Sequence, residues 1–126
     1  MVDEHEAEEA LALGALEHIG QAAASRGLRD AAALQAILVA HGAELVIHGH
    51  NHVDMLALQA SASGASIPIV GVASASLAYR HRREGLARYN LYHIAGPPWR
   101  VGLVGRGLAD ADGDIVEIEQ RSLRAT

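Results

Sequence analysis

An α+β chain, with helices first and strands afterwards, is what three features of the sequence predict. Alanine- and leucine-rich stretches with helical spacing occupy the first third. Short runs rich in Val, Ile and Leu occupy the rest. Clusters of Gly, Ser, Pro and Asp separate those runs at intervals suited to strands. The expected architecture is two N-terminal helices followed by a mainly antiparallel β-sheet.

The first helix is expected over about residues 4–24. Asp3 is placed to cap it, Glu4, Glu6, Glu8 and Glu9 sit near its positive end, and Gly27 lies beyond its finish. Its apolar stripe is Leu13, Leu16 and Ile19, with alanines around it. A second helix is expected over about 30–41, with Asp30 as its cap and Gly42 as its stop. Leu34, Ile37, Leu38 and His41 follow helical spacing there, and His41 reads as a helix-end histidine facing the negative end of the dipole. An apolar strand from Glu44 then runs into His48-Gly49-His50-Asn51-His52. Further strands are expected near 54–59, 67–72, 87–95, 99–105 and 114–120. Residues 60–66 read as a turn, Gly96-Pro97-Pro98 as a tight break, and Asp110–Asp114 as an acidic turn that lacks the glutamate of a calcium loop.

Composition sets bounds. The 126 residues are 50% hydrophobic, yet there is no Phe, one Trp and three Tyr, so the core must be built from Leu, Ile, Val and Ala. With no cysteine, disulfides and thiol chemistry are excluded, which fits a reducing cytoplasm. No apolar run approaches the roughly 20 residues that span a membrane as a helix, and the acidic N-terminus is unlike a signal peptide. A net charge of −5 argues against a broad nucleic-acid surface.

The histidine cluster carries the chemistry. Alternate side chains of an extended strand share a face, so His48, His50 and His52 can point together until Gly49 and Asn51 bend the chain. Neutral imidazole is a borderline ligand suited to manganese, iron and zinc, and a strand end aims two rings at little ordering cost. A single histidine is more often an ordinary surface or core residue. Three in five positions after an apolar strand point to metal ligation by His50 and His52.

Read with its flanks, the cluster resembles the C-terminal part of a calcineurin-like metallophosphoesterase. The likeness rests on the helix at 30–41, on Gly42–His52 with its Gly49-His50-Asn51-His52 element, and on Ile67–Ser76. Ala87–Ile94 and Trp99–Leu103 are similar to the closing strands of that family. It covers about residues 28–108, so residues 28–126 are assigned to such a domain and 1–27 to an unmatched helix. The resemblance implies a four-layer αββα fold and a two-metal site that hydrolyses phosphate esters with a metal-bridging hydroxide. In such a site two ions roughly 3.5–4 Å apart neutralise the phosphoryl oxygens and stabilise the leaving group. It also implies that His50 binds one metal and His52 the other, with Mn, Fe or Zn as the ions. His48 and Asn51 inherit no role; His48 is either a strand-end residue or an outer support to the site.

The earlier motifs of the family are missing. Asp3-Glu4-His5 spells the first of them without a strand to place it, and Gly113-Asp114-Ile115-Val116-Glu117 approximates the second in the wrong order. Neither Asn51 nor Asn90 follows a glycine and precedes a histidine. The expectation is therefore the C-terminal portion of a metal-dependent phosphoesterase, inactive alone, that acts on a phosphate ester once a homo-oligomer or an N-terminal half completes the site. The alternative is a non-catalytic metal-binding or oligomeric module. Arg80, Arg82 and Arg83 read first as a charged surface loop; as a functional patch they would offer guanidinium forks to a phosphate.

Overall fold

A computed structural model describes residues 29–49, 52–79 and 85–124. The helix expected at 4–24, and His50, Arg80, Arg82 and Arg83, lie outside the described residues. What is described is a mixed α+β chain with one helix, α1 (Ala31–His41), and six strands. These are β1 (Val46–His48), β2 (Met55–Ala60), β3 (Ser66–Gly71), β4 (Arg88–Ala95), β5 (Arg100–Leu108) and β6 (Ile115–Arg124). They form two three-stranded sheets, ordered β1-β3-β2 and β4-β5-β6. The described helix is too short to cross a membrane.

The chain divides into two compact units. The first holds the described residues up to Val46 together with Met55–Val70; the second holds Ile47–Asp54 and everything from Gly71 onward.

In the first unit, helix α1 ends as Gly42 takes φ 76°, where a side chain would be strained, and its N–H bonds the Leu38 carbonyl at 2.8 Å. Asp30 occupies the N-cap position but makes no side-chain cap bond, so the expected cap is present in place only. The apolar stripe is also narrower than its spacing suggests: Leu38 is buried and Leu34 half-buried, whereas Ile37 is 58% exposed. β3 is the middle strand of its sheet, and this explains its unbroken buried run Ile67-Pro68-Ile69-Val70. Ile69 and Ala57 form the core cluster, with Val46 and Met55 packed against it. The turn at 61–65 closes on itself, since Ser61 donates its N–H and its hydroxyl to the Ala65 carbonyl, each at 2.9 Å.

In the second unit, β4 and β6 run antiparallel to β5. β5 alternates in burial, with Val101, Leu103, Gly105 and Gly107 on its covered face. The register sets Asn90 opposite Gly105 and Arg88 opposite Gly107, so the bulky polar positions of β4 lie beside the glycines of β5. On β6 the register slips twice, leaving Ile118 and Leu123 as the extra residues, and most of this edge strand is exposed.

Candidate functional site

The site begins at the end of β1, where the hydrophobic strand delivers His48. Its ring is half enclosed, with both ring nitrogens out of contact with solvent. The enclosure depends on Gly71: a Cβ there would stand 2.7 Å from His48 Cε1, 3.0 Å from Nε2 and 3.3 Å from the Val53 carbonyl oxygen. Gly71 therefore leaves the space that the imidazole fills.

His52 follows with an exposed side chain and a φ of 55°. It is the one described non-glycine residue at positive φ. The left-handed conformation costs a residue with a Cβ about 1–2 kcal/mol. Strain of this kind persists only where the surroundings enforce it, and it concentrates at functional positions. Two residues on, Asp54 is held by two contacts. Its Oδ1 accepts the Ala73 backbone N–H at 2.9 Å, and its Oδ2 accepts from Arg88 Nη1 at 3.4 Å.

Arg88 is the centre of a polar network. Only 10% of its side chain is exposed. Its Nε donates to Asn90 Oδ1 at 3.1 Å, and its Nη2 pairs with the Glu119 carboxylate, which also meets Arg121 Nη2 at 3.3 Å. Asn90 donates in turn to the Tyr92 hydroxyl at 3.2 Å. The guanidinium lies over Gly105, where any Cβ would collide with it. An almost buried cation satisfied on three sides by two carboxylates and an amide is well compensated.

Several of these groups line one open cleft of about 610 Å³. His48, His52, Arg88, Asn90 and Tyr92 supply its polar lining, and Ile47 and Val72 are among its apolar walls. Of the predicted ligands the structure thus places His52 on this cleft and adds His48, which the family pattern does not use. The donor set fits a borderline divalent ion in kind, since both described groups are imidazoles. It is incomplete in number: among the described residues no group of three or more His, Asp or Glu side chains could hold a metal. Asp54 is already engaged through both oxygens.

Sequence reasoning passed over Asp54, Arg88, Asn90 and Tyr92. A signal existed in β5, where glycines take the positions after Val101 and Leu103 on the covered face. Glycines in such places announce a large neighbour from another strand. Compared with known proteins, the chain matches no family model, no curated protein and no solved structure.

Proposed function

We propose that this chain is the part of a metal-dependent phosphoesterase that supplies histidine ligands, with His50 and His52 as the ligands of Mn, Fe or Zn. One observation supports the reading most: His52 is held at φ 55° on a cleft that it shares with His48, directly after an apolar strand. Backbone strain of this kind concentrates at functional positions.

The chain's own contribution is orientation. β1 precedes the cluster and Asp54, bonded to the Ala73 N–H, follows it, while the His48 ring, the Tyr92 hydroxyl and the Asn90 amide line the cleft. A divalent ion, when bound, supplies Lewis-acid polarisation of a phosphoryl oxygen. With no bridging carboxylate among the described residues, hydrolysis requires donors beyond them. Phosphate esters are therefore its substrates only in a completed site. The second reading, a non-catalytic metal-binding module, is favoured by the same shortage of donors.

A chromogenic phosphodiester assay with added Mn(II) separates the two. The purified chain is expected to bind metal and to show turnover at the level of the metal-only blank. Robust turnover that disappears in His50→Ala would establish that the chain completes its own site, by self-association or through residues beyond those described.

A further inference from the structure

We propose that the outer edge of β6 docks a second copy of this chain, strand against antiparallel strand, with Gln120 on the two-fold axis. β6 is the longest strand described, ten residues from Ile115 to Arg124, and it ends its sheet. Between Ile115 and Leu123 no backbone bond among the described residues reaches it from the side away from β5. Strand residues turn their N–H and C=O groups to alternate sides, so such an edge offers a row of donors and acceptors to another strand. Proline and bulges commonly blunt an edge. β6 contains no proline, and its register slips leave Glu119–Ser122 in unbroken pairing with β5.

The order of charge along β6 selects the partner and its register. Glu117 and Glu119 precede Arg121. A parallel copy in register would set each charge beside its like. In an antiparallel pair about a two-fold axis only the axial residue faces itself. An axis at Glu119 opposes two carboxylates, an axis at Arg121 opposes two guanidinium groups, and an axis at Ile118 sets Glu117 against Glu119. With the axis at Gln120, Glu119 of each copy stands opposite the partner's Arg121, twice, and Ile118 opposite the partner's Ser122. Two neutral amides, each both donor and acceptor, then meet at the centre. The edge is also prepared for this: Arg88 holds one oxygen of the Glu119 carboxylate, and Arg121, half exposed, meets the other at 3.3 Å. Exposed Ile115, Val116 and Ile118 lie along the same strand. The pairing needs no metal and stands apart from the metal-binding reading.

Because the chain has no cysteine, a single introduced thiol reports its own proximity to a second copy. Opposed Cα atoms of an antiparallel pair lie about 4.5–5.5 Å apart, within disulfide reach. Two Ile115 residues, each five positions from the axis, would lie about 33 Å apart. Gln120→Cys, Ile115→Cys and, on the opposite edge of the sheet, Leu91→Cys are oxidised with diamide in the presence of EDTA and run on non-reducing gels. Gln120→Cys should form a covalent species of twice the 13.2 kDa chain mass at least about ten times faster than the other two. Arg121→Glu, which opposes Glu119 with a like charge, should raise the dimer dissociation constant about tenfold or more in sedimentation equilibrium. A thermal melt of that variant checks the fold, and Ile118→Lys provides the same comparison if Arg121→Glu melts early. Equal cross-linking at Ile115 and Gln120, faster cross-linking at Leu91, or a parent chain that sediments as a monomer at all concentrations would overturn the proposal.

Discussion

Replacing Gly71 with alanine probes the cradle around His48 directly. A Cβ at position 71 would stand 2.7 Å from His48 Cε1, which is 0.7 Å inside the 3.4 Å at which ordinary contact begins. Gly71 does not occupy the left-handed region, so alanine brings no backbone strain, and the whole effect must come from the collision. Overpacking of this size costs about 1–3 kcal/mol. His48 is only partly buried, so it can give partly, which sets the expectation at about 1–2 kcal/mol. For a domain of this size that corresponds to a fall in melting temperature on the order of 5–10 °C. Thermal and urea denaturation of Gly71→Ala, His48→Ala and the double variant form the assay. In the His48→Ala background the ring is gone, and Gly71→Ala should be close to neutral, or stabilising by about 0.4–1 kcal/mol through the unfolded state. The coupling between the two sites should then be about 1 kcal/mol or more. An equal cost of Gly71→Ala with and without His48 would show that the added methyl does not meet the imidazole and would place the strain elsewhere, the Val53 carbonyl being the next atom at 3.3 Å.

His52→Gly should stabilise the fold by about 1 kcal/mol in chemical denaturation, by relieving the left-handed backbone, while zinc affinity falls. Destabilisation by that variant would show that the His52 side chain contributes to packing. Asp54→Ala frees the Ala73 N–H and one face of Arg88; because the carboxylate is 42% exposed, its cost in a urea titration should stay near about 1 kcal/mol. Ile69→Ala, at a side chain with no exposure in the core of the first unit, should cost about 2–5 kcal/mol, and a value below about 1 would mean that this core is not formed in solution. Light scattering should show association as concentration rises, since β4 and β6 terminate their sheet and Ile115, Val116 and Ile118 of β6 are exposed. A monomer at all concentrations, unchanged in Ile118→Lys, would contradict that reading.

Local signals in the sequence carry much of this fold. Helix α1 is legible from its spacing and from Gly42, and the strands from the Gly, Ser, Pro and Asp turns between them, because those are contests between neighbouring residues. Features decided at long range are not legible. That β3 is a middle strand depends on which strands flank it, and the exposure of Ile37 depends on which face of α1 finds a partner. The cap expected of Asp30 fails because the residue type permits a bond that the local backbone does not make. At the site, the histidine spacing is visible in the sequence, yet the left-handed turn at His52 is not, since histidine has no intrinsic need for it. Arg88 reads as one more charged residue until the register brings it beside Gly105 and Asp54.

Titration with paramagnetic Mn(II), followed through the histidine ring resonances, tests the proposed metal binding by the histidine cluster that follows β1. His41, at the exposed end of α1, and His93, exposed on β4, serve as internal controls. The prediction is that His50 and His52 broaden first, at substoichiometric metal, with His48 following, and that a chain carrying His50→Ala and His52→Ala shows no selective broadening. Broadening spread evenly over all eight histidines, or unchanged in the double variant, would contradict it.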